Sequence, residues 1–429
     1  MNKFFSLSLL AFFLLVLFSS ASAFQSPKSI GSAYLYVEVN WTLDSFGALG
    51  PISLTGFNFL KAPYQSPAME ANRASSPLTD SVGNNLINFK FTAVKPVETI
   101  FLRGYVDVSY LNAGLEDADE SALGDYLKPS PFIQITHAIA DKAISLIFGV
   151  NDSLEKLVVL TEWVNNNVEY DGPGFGDSIQ NSSFVFDNRR GTCDEFSHLL
   201  IAMLRAINIP ARFSAGFVCS SDCSEAKNWG PHAWVEAAIG GKWVPSDPTF
   251  GEAIVLDATH AKFAQGFDQD DVKESYVGNI HFTRNFQVSL DSFKAFSDYY
   301  DISISVPTND IGEKSVENIS VTLLNKLNSP IAVPLSLIAP KEAKVLGGRK
   351  IVFLEAFESK TVFWEIAFPQ VLEENLVYTY PIQVTGLGKD ADANITLRKG
   401  GESTVRKGLQ LTEVIPLIKG NSLEIKLLV

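Results

Sequence analysis

The chain has 429 residues, 46% of them hydrophobic, a formal net charge of -14 and three cysteines. Its length and apolar content can fill two or three separate cores. An acidic chain without a basic cluster cannot neutralise a row of phosphates, which argues against nucleic acid as a partner.

The first residues, "MNKFFSLSLLAFFLLVLFSSASA", carry Lys3, an unbroken apolar run from Leu9 to Phe18, and Ala21-Ser22-Ala23. This is the pattern of a secretory signal over 1–23. An uncleaved anchor is the alternative, but the apolar run is shorter than the roughly 20 residues a spanning helix needs. A secreted or cell-surface protein is therefore expected, in a setting where thiols tend to be paired. Cys219 and Cys223, four positions apart in "FVCSSDCSE", suit a local disulfide. Cys193 is then left over, and an odd cysteine in an exported chain points to a reactive thiol or a link between chains.

From 24 to about 124, segments such as "AYLYVEVNW" and "NLINFKFTAV" alternate with period two between turn residues, which predicts an N-terminal β-sandwich. The texture then changes. "FIQITHAIADKAISLIFG" and "SLEKLVVLTEWVNNN" space their apolar residues as helices do, and Asp152 stands three places before Glu155 as a capping pair. Gly172-Pro173-Gly174 and the polar run to Ser183 predict a long surface loop. After about 299, seven alternating segments predict an immunoglobulin-like sandwich. The expected organisation is a signal at 1–23, a β-sandwich at 24–124, a mixed α+β core at 125–298 and a second sandwich at 299–429.

Within the core, "RRGTCDEFSHLL" opens a helix whose apolar positions are Phe196, Leu199, Leu200, Met203, Leu204 and Ile207. Thr192 is the predicted N-cap, with Glu195 completing a capping box. Cys193 then sits at the positive end of the helix dipole, which favours a thiolate. Asp194 and Glu195 oppose it, so a basic partner is needed. His198, five residues on, points about 140° away from Cys193. His137, His260 and His281 have no telling context. His232 lies in "PHAWVEAAIGGKWVPSDPTFGE", where Gly240-Gly241 predicts a two-residue hairpin. In that register Trp234 faces Asp247 and His232 faces Thr249. His232 and Asp247 become diagonal neighbours about 7 to 8 Å apart at the backbone. A carboxylate so placed can orient an imidazole as a triad requires. An ordinary polar pair at a sheet edge is the competing reading.

Taken in order, "GTCDEFSHLLIAMLRAINIPARFSAGFV" and "HAWVEAAIGGKWVPSDPTFG" resemble the core of the transglutaminase-like superfamily, related in fold to papain-type cysteine peptidases. The resemblance covers Arg189 to Glu252. It implies Cys193 as nucleophile, His232 as base and then acid, and Asp247 as the residue orienting His232. It also implies chemistry on amide bonds of proteins or peptides through a thioester, without a cofactor; export into water without an obvious amine site favours hydrolysis over amine transfer. The Cys193 N–H would supply one oxyanion donor; no residue between Tyr170 and Arg190 matches the second. The rival class is a non-catalytic surface module that binds a polypeptide, its sandwiches contacting other surface molecules.

Other residues invite readings of their own. Trp234 and Trp243 could line a groove or pack a sheet face. Phe184 and Phe186 could shape a cleft or form a buried strand. Cys219, Cys223 and His232 as metal ligands lack a fourth member with suitable spacing. The acidic "FDQDD" at 267–271 reads as a solvated loop, with a calcium site as its alternative.

Overall fold

The computed structural model describes residues 29–45, 50–93, 95–111, 114–171, 179–296, 298–307, 311–369, 372–401, 413–419 and 422–428. The expected signal at 1–23 lies outside the described residues, as does 172–178 of the predicted loop. Among the described residues, the four α-helices, α1 (His137–Leu146), α2 (Ser153–Asn167), α3 (Ser182–Asn188) and α4 (Cys193–Ala206), all fall in the middle of the chain. Asp152 caps α2 as its spacing predicts, its carboxylate accepting from the Glu155 N–H at 2.9 Å. The helix α3 replaces the strand read around Phe184 and Phe186. Asn181 caps it by accepting from the Phe184 N–H at 3.0 Å, and Arg189 ends it with φ 57. Seven residues are too few for a helical period to stand out against the Phe-Val-Phe alternation.

Beside the helices lies a five-stranded antiparallel sheet. Its order is Glu252–Ala253, Lys242–Asp247, Trp229–Ile239, Ala211–Cys219 and Ala261–Gly266. Gly240 and Gly241 take φ 60 and 73, the left-handed pair that a two-residue turn of this hand demands. Ile239 pairs with Lys242 and Val235 with Ser246, the predicted register. The helix α4 packs on this sheet and against α1, α2 and α3. It is buried on more than the one face its periodicity indicates, since Ser197, His198, Ile201 and Ala202 are covered as fully as Leu199 and Leu200.

Two four-stranded sheets form the N-terminal part. One runs His281–Ala295, Ile30–Asp44, Val97–Val108, Gln65–Ala71, and the other Ser275–Val277, Pro51–Phe57, Asn85–Thr92, Ser76–Thr79. Strands from the end of the 125–298 segment thus complete sheets begun by residues 30–108. One hydrophobic core joins both regions, from Trp41 and Phe89 to Leu200 and Trp234. Two further four-stranded sheets follow Tyr300 and share a core built from Val321, Leu323 and Trp364 on one side and Val333, Leu335 and Val384 on the other. This part leans on α2, where Asn166 Oδ1 accepts from the Arg349 N–H and Glu162 Oε2 from the Ile351 N–H. Among the described residues no helix is long and apolar enough to cross a membrane.

Candidate active site

The site starts at the turn before α4. Thr192 is the N-cap and Cys193 the first helical residue, as predicted. The buried Glu195 carboxylate accepts from the Thr192 N–H at 2.9 Å, the Thr192 hydroxyl at 2.6 Å and the Gln180 N–H at 2.8 Å. A side chain at residue 191 would place its Cβ 2.3 Å from the Glu195 Cβ, so glycine is required for this close approach. Glu195→Ala would strand those three donors and should cost about 1–3 kcal/mol, read as a lowered urea midpoint. An unchanged midpoint would mean that other contacts hold the turn.

Cys193 is half-buried and is the free cysteine, because Cys219 and Cys223 form a disulfide. That bond also spends the two thiols that the metal alternative needed. The Ala233 N–H faces the Cys193 sulfur and favours its ionised form, which places the thiol beside the strand Trp229–Ile239, one residue from His232. Asp194 Oδ1 is 3.7 Å from the sulfur. Burial first, and then the Asp194 charge, push the thiol well above its ordinary range, against the pull of the Ala233 N–H. Both oppose the thiolate that the helix dipole favours: the expected opposition from Asp194 is present, and burial adds to it. Burial, which decides the matter, is not visible in the local sequence.

His232 and Asp247 meet as the hairpin register requires, with Nε2 to Oδ2 at 2.9 Å. Asp247 is fully buried, and its other oxygen accepts from the Thr249 and Phe250 N–H groups. From α2, Asn165 Nδ2 donates to the carbonyls of Pro248 and Thr249 and so holds the turn after Asp247. Burial opposes the Asp247 charge, but His232 and then His260 hold the carboxyl well below its usual range. With Nε2 given to Asp247, Nδ1 is the His232 nitrogen that remains to take a proton. His260, which showed no telling context, comes within 3.2 Å of the same Asp247 oxygen.

The remaining candidates separate cleanly. His198 lies in the core, with Nδ1 2.8 Å from the Gln180 carbonyl and its ring stacked on Phe132. Trp234 and Trp243 are buried packing residues, the first against the His260 ring edge and the second under the Arg212 guanidinium. The 267–271 loop is less solvated than expected, since Asp268 is buried and Gln269 donates to Asp194 at 2.6 Å. Asp268 and Asp271 turn their carboxylates onto backbone N–H groups of the same loop. A cavity of about 540 Å³ elsewhere is lined by residues of the C-terminal sheets. The one at His232 holds about 530 Å³ and is walled by Tyr170, Trp229, Pro231, Phe250 and Arg349. These walls could not be assigned from sequence, because they come from four separate segments, around Tyr170, Trp229, Phe250 and Arg349.

Residues 141–248 match the family model of the transglutaminase-like superfamily. The chain carries a transglutaminase-like core. The matched span takes in Cys193, His232 and Asp247 and stops before His260. An uncharacterized protein of Bacillus subtilis (strain 168), YebA, is 23% identical over 209 residues, 44% of this chain and 27% of that protein. An uncharacterized protein of Mycobacterium leprae (strain TN), ML0607, is 26% identical over 152 residues, 34% of this chain and 52% of that protein. The matches thus span about a quarter and about half of these relatives. A solved structure described as a candidate cysteine protease from Cytophaga hutchinsonii is 22% identical with TM-score 0.48, covering 62% of this chain and 93% of that one.

Proposed function

We propose that the transglutaminase-like core is a cysteine enzyme acting on amide bonds of proteins or peptides, with hydrolysis favoured over amine transfer. The carrying observation is the pairing of His232 with the buried Asp247, one residue from the Ala233 N–H that faces the Cys193 sulfur. In this reading His232 Nδ1 takes the thiol proton as sulfur attacks the amide carbonyl, a general-base role suited to a resting thiol. The protonated imidazole, steadied by Asp247, then protonates the leaving amine. A thioester remains, and water attacks it with His232 again as base. The Cys193 N–H, unpaired at the first turn of α4, is the candidate oxyanion donor. The cavity walled by Trp229 and Phe250 is wide enough for a few residues of an extended peptide.

The same proposal takes the protein as secreted or at the cell surface. The 1–23 pattern and the Cys219–Cys223 disulfide support this. It reads the flanking sheets as immunoglobulin-like modules that contact surface polymers or proteins. The test incubates the full chain with labelled peptides, with and without an added primary amine, and reads product mass. Hydrolysis predicts the free acid in both arms, and transfer predicts an amine adduct. Turnover that survives complete alkylation by iodoacetamide would sink the thiol mechanism, and absence of any product would favour a binding module.

A further inference from the structure

His260 is fully buried between two carboxylates. Its Nε2 lies 3.2 Å from Asp247 Oδ2, and its Nδ1 lies 3.2 Å from the Asp257 carbonyl and 3.5 Å from Asp257 Oδ1. A neutral imidazole offers one donor and one acceptor, whereas both nitrogens here face acceptors only. Both must donate, so the ring is an imidazolium. From this geometry we infer that His260 is a positioning residue for the proposed reaction: a buried cation that shares Asp247 Oδ2 with His232 and eases ionisation of the Cys193 thiol. The inference rests on the reading of Cys193 as nucleophile and His232 as its base.

The surroundings make the cation permanent. Asp257 is itself fixed, accepting from the Thr259 N–H at 2.8 Å and the Thr259 hydroxyl at 2.5 Å while its own N–H donates to Glu252 Oε2. The charged and titratable groups around His260 are Asp257 from its own loop, Asp247 and His232 from the two hairpin strands, and Glu252 from the edge strand. Tyr110 joins them by donating its hydroxyl to the His260 carbonyl. Burial works against the imidazolium, and Asp257 followed by Asp247 hold it well above its ordinary range. The His232 and His260 rings stand 5.7 Å apart at an interplanar angle of 67°, close enough for strong coupling without competition for space.

The sign follows from Coulomb's law. A fixed cation favours proton loss from its neighbours, so it assists ionisation of the Cys193 thiol. Removing it moves the Cys193 ionisation to higher pH, by about 0.5 to 2 pH units depending on the distance and the effective dielectric.

Iodoacetamide reads the Cys193 ionisation without a known substrate, because the other two cysteines are bonded to each other. The rate of alkylation against pH would be measured on the full chain as wild type, His260→Gln, Asp257→Asn and His232→Ala. Gln can still donate to Asp247 but carries no charge. Asn at 257 removes the carboxylate that holds the His260 proton without touching His232. The expected result is a thiol midpoint moved upward in both the His260 and Asp257 variants, with the fold intact by thermal melting. A midpoint within about 0.2 unit of wild type in whichever of these two variants folds overturns the role of His260. If His232→Ala leaves the profile unchanged, the underlying base assignment fails instead, so the two failures are distinguishable.

Discussion

Cys193→Ala is expected to lower kcat/KM on any peptide the wild type turns over by about 10⁴ to 10⁶-fold, the range seen when a covalent nucleophile is removed from a unit that acts together. The magnitude follows from what is lost. Without sulfur no thioester forms, and His232 with Asp247 can only activate water that has no fixed seat at the carbonyl. The fold should tolerate the change, since alanine fits the first turn of a helix and Cys193 is only half-buried. A thermal melt within a few degrees of wild type, beside absent turnover, is the expected pair of results. A variant that keeps more than about one part in a hundred of the activity would show that sulfur is not the nucleophile.

The largest expected loss of stability lies behind the site. Glu236 stands opposite Arg212 across the sheet, with Arg212 Nε to Glu236 Oε2 at 2.6 Å. Lys262 Nζ reaches the same oxygen at 2.5 Å, and Tyr64 donates its hydroxyl to Oε1. Arg212 also pairs with Glu116 at 2.6 Å, but Glu116 is partly exposed whereas Glu236 and Lys262 are buried. Burial opposes the Glu236 charge, and Arg212 and Lys262 together bring the carboxyl down to about 2. Glu236→Gln leaves two buried cations with one peripheral anion and should cost about 3–5 kcal/mol in urea unfolding. Because the folded group ionises at lower pH than the unfolded one, its contribution is present above about 4.5 and is lost as pH falls toward about 2. The variant should therefore lose less stability than the wild type across that window. A cost below about 1 kcal/mol would mean that Glu116 or water replaces the missing charge.

Much of the site was legible in the chain. The cap at Thr192, the helix after Cys193, the turn at Gly240-Gly241 and the pairing of His232 with Asp247 all depend on neighbours within about 20 residues. Their geometry is that of local backbone and a single hairpin, and a one-residue error in register would have turned Asp247 to the other face. The misread elements are of a different kind. Phe184 and Phe186 lie on a helix too short to show its period, and Asp268 is covered by segments far off in sequence.

His260 marks the boundary between the two kinds of information. Thirteen positions beyond Asp247 it has no motif, and the chain between them turns back through Gly251 at φ 72 and Ile254 at φ 68. A left-handed conformation at a β-branched residue is one that surrounding packing must impose. The strand that follows, Ala261–Gly266, then pairs with Ala211–Cys219 on the far side of the hairpin rather than with the Asp247 strand. The residues of the proposed reaction and their order are written in local pattern, because caps, turns and alternation act over short spans. The protonation state of the thiol and the cation behind Asp247 arise only when distant segments exclude water around them, since both depend on burial and long-range charge.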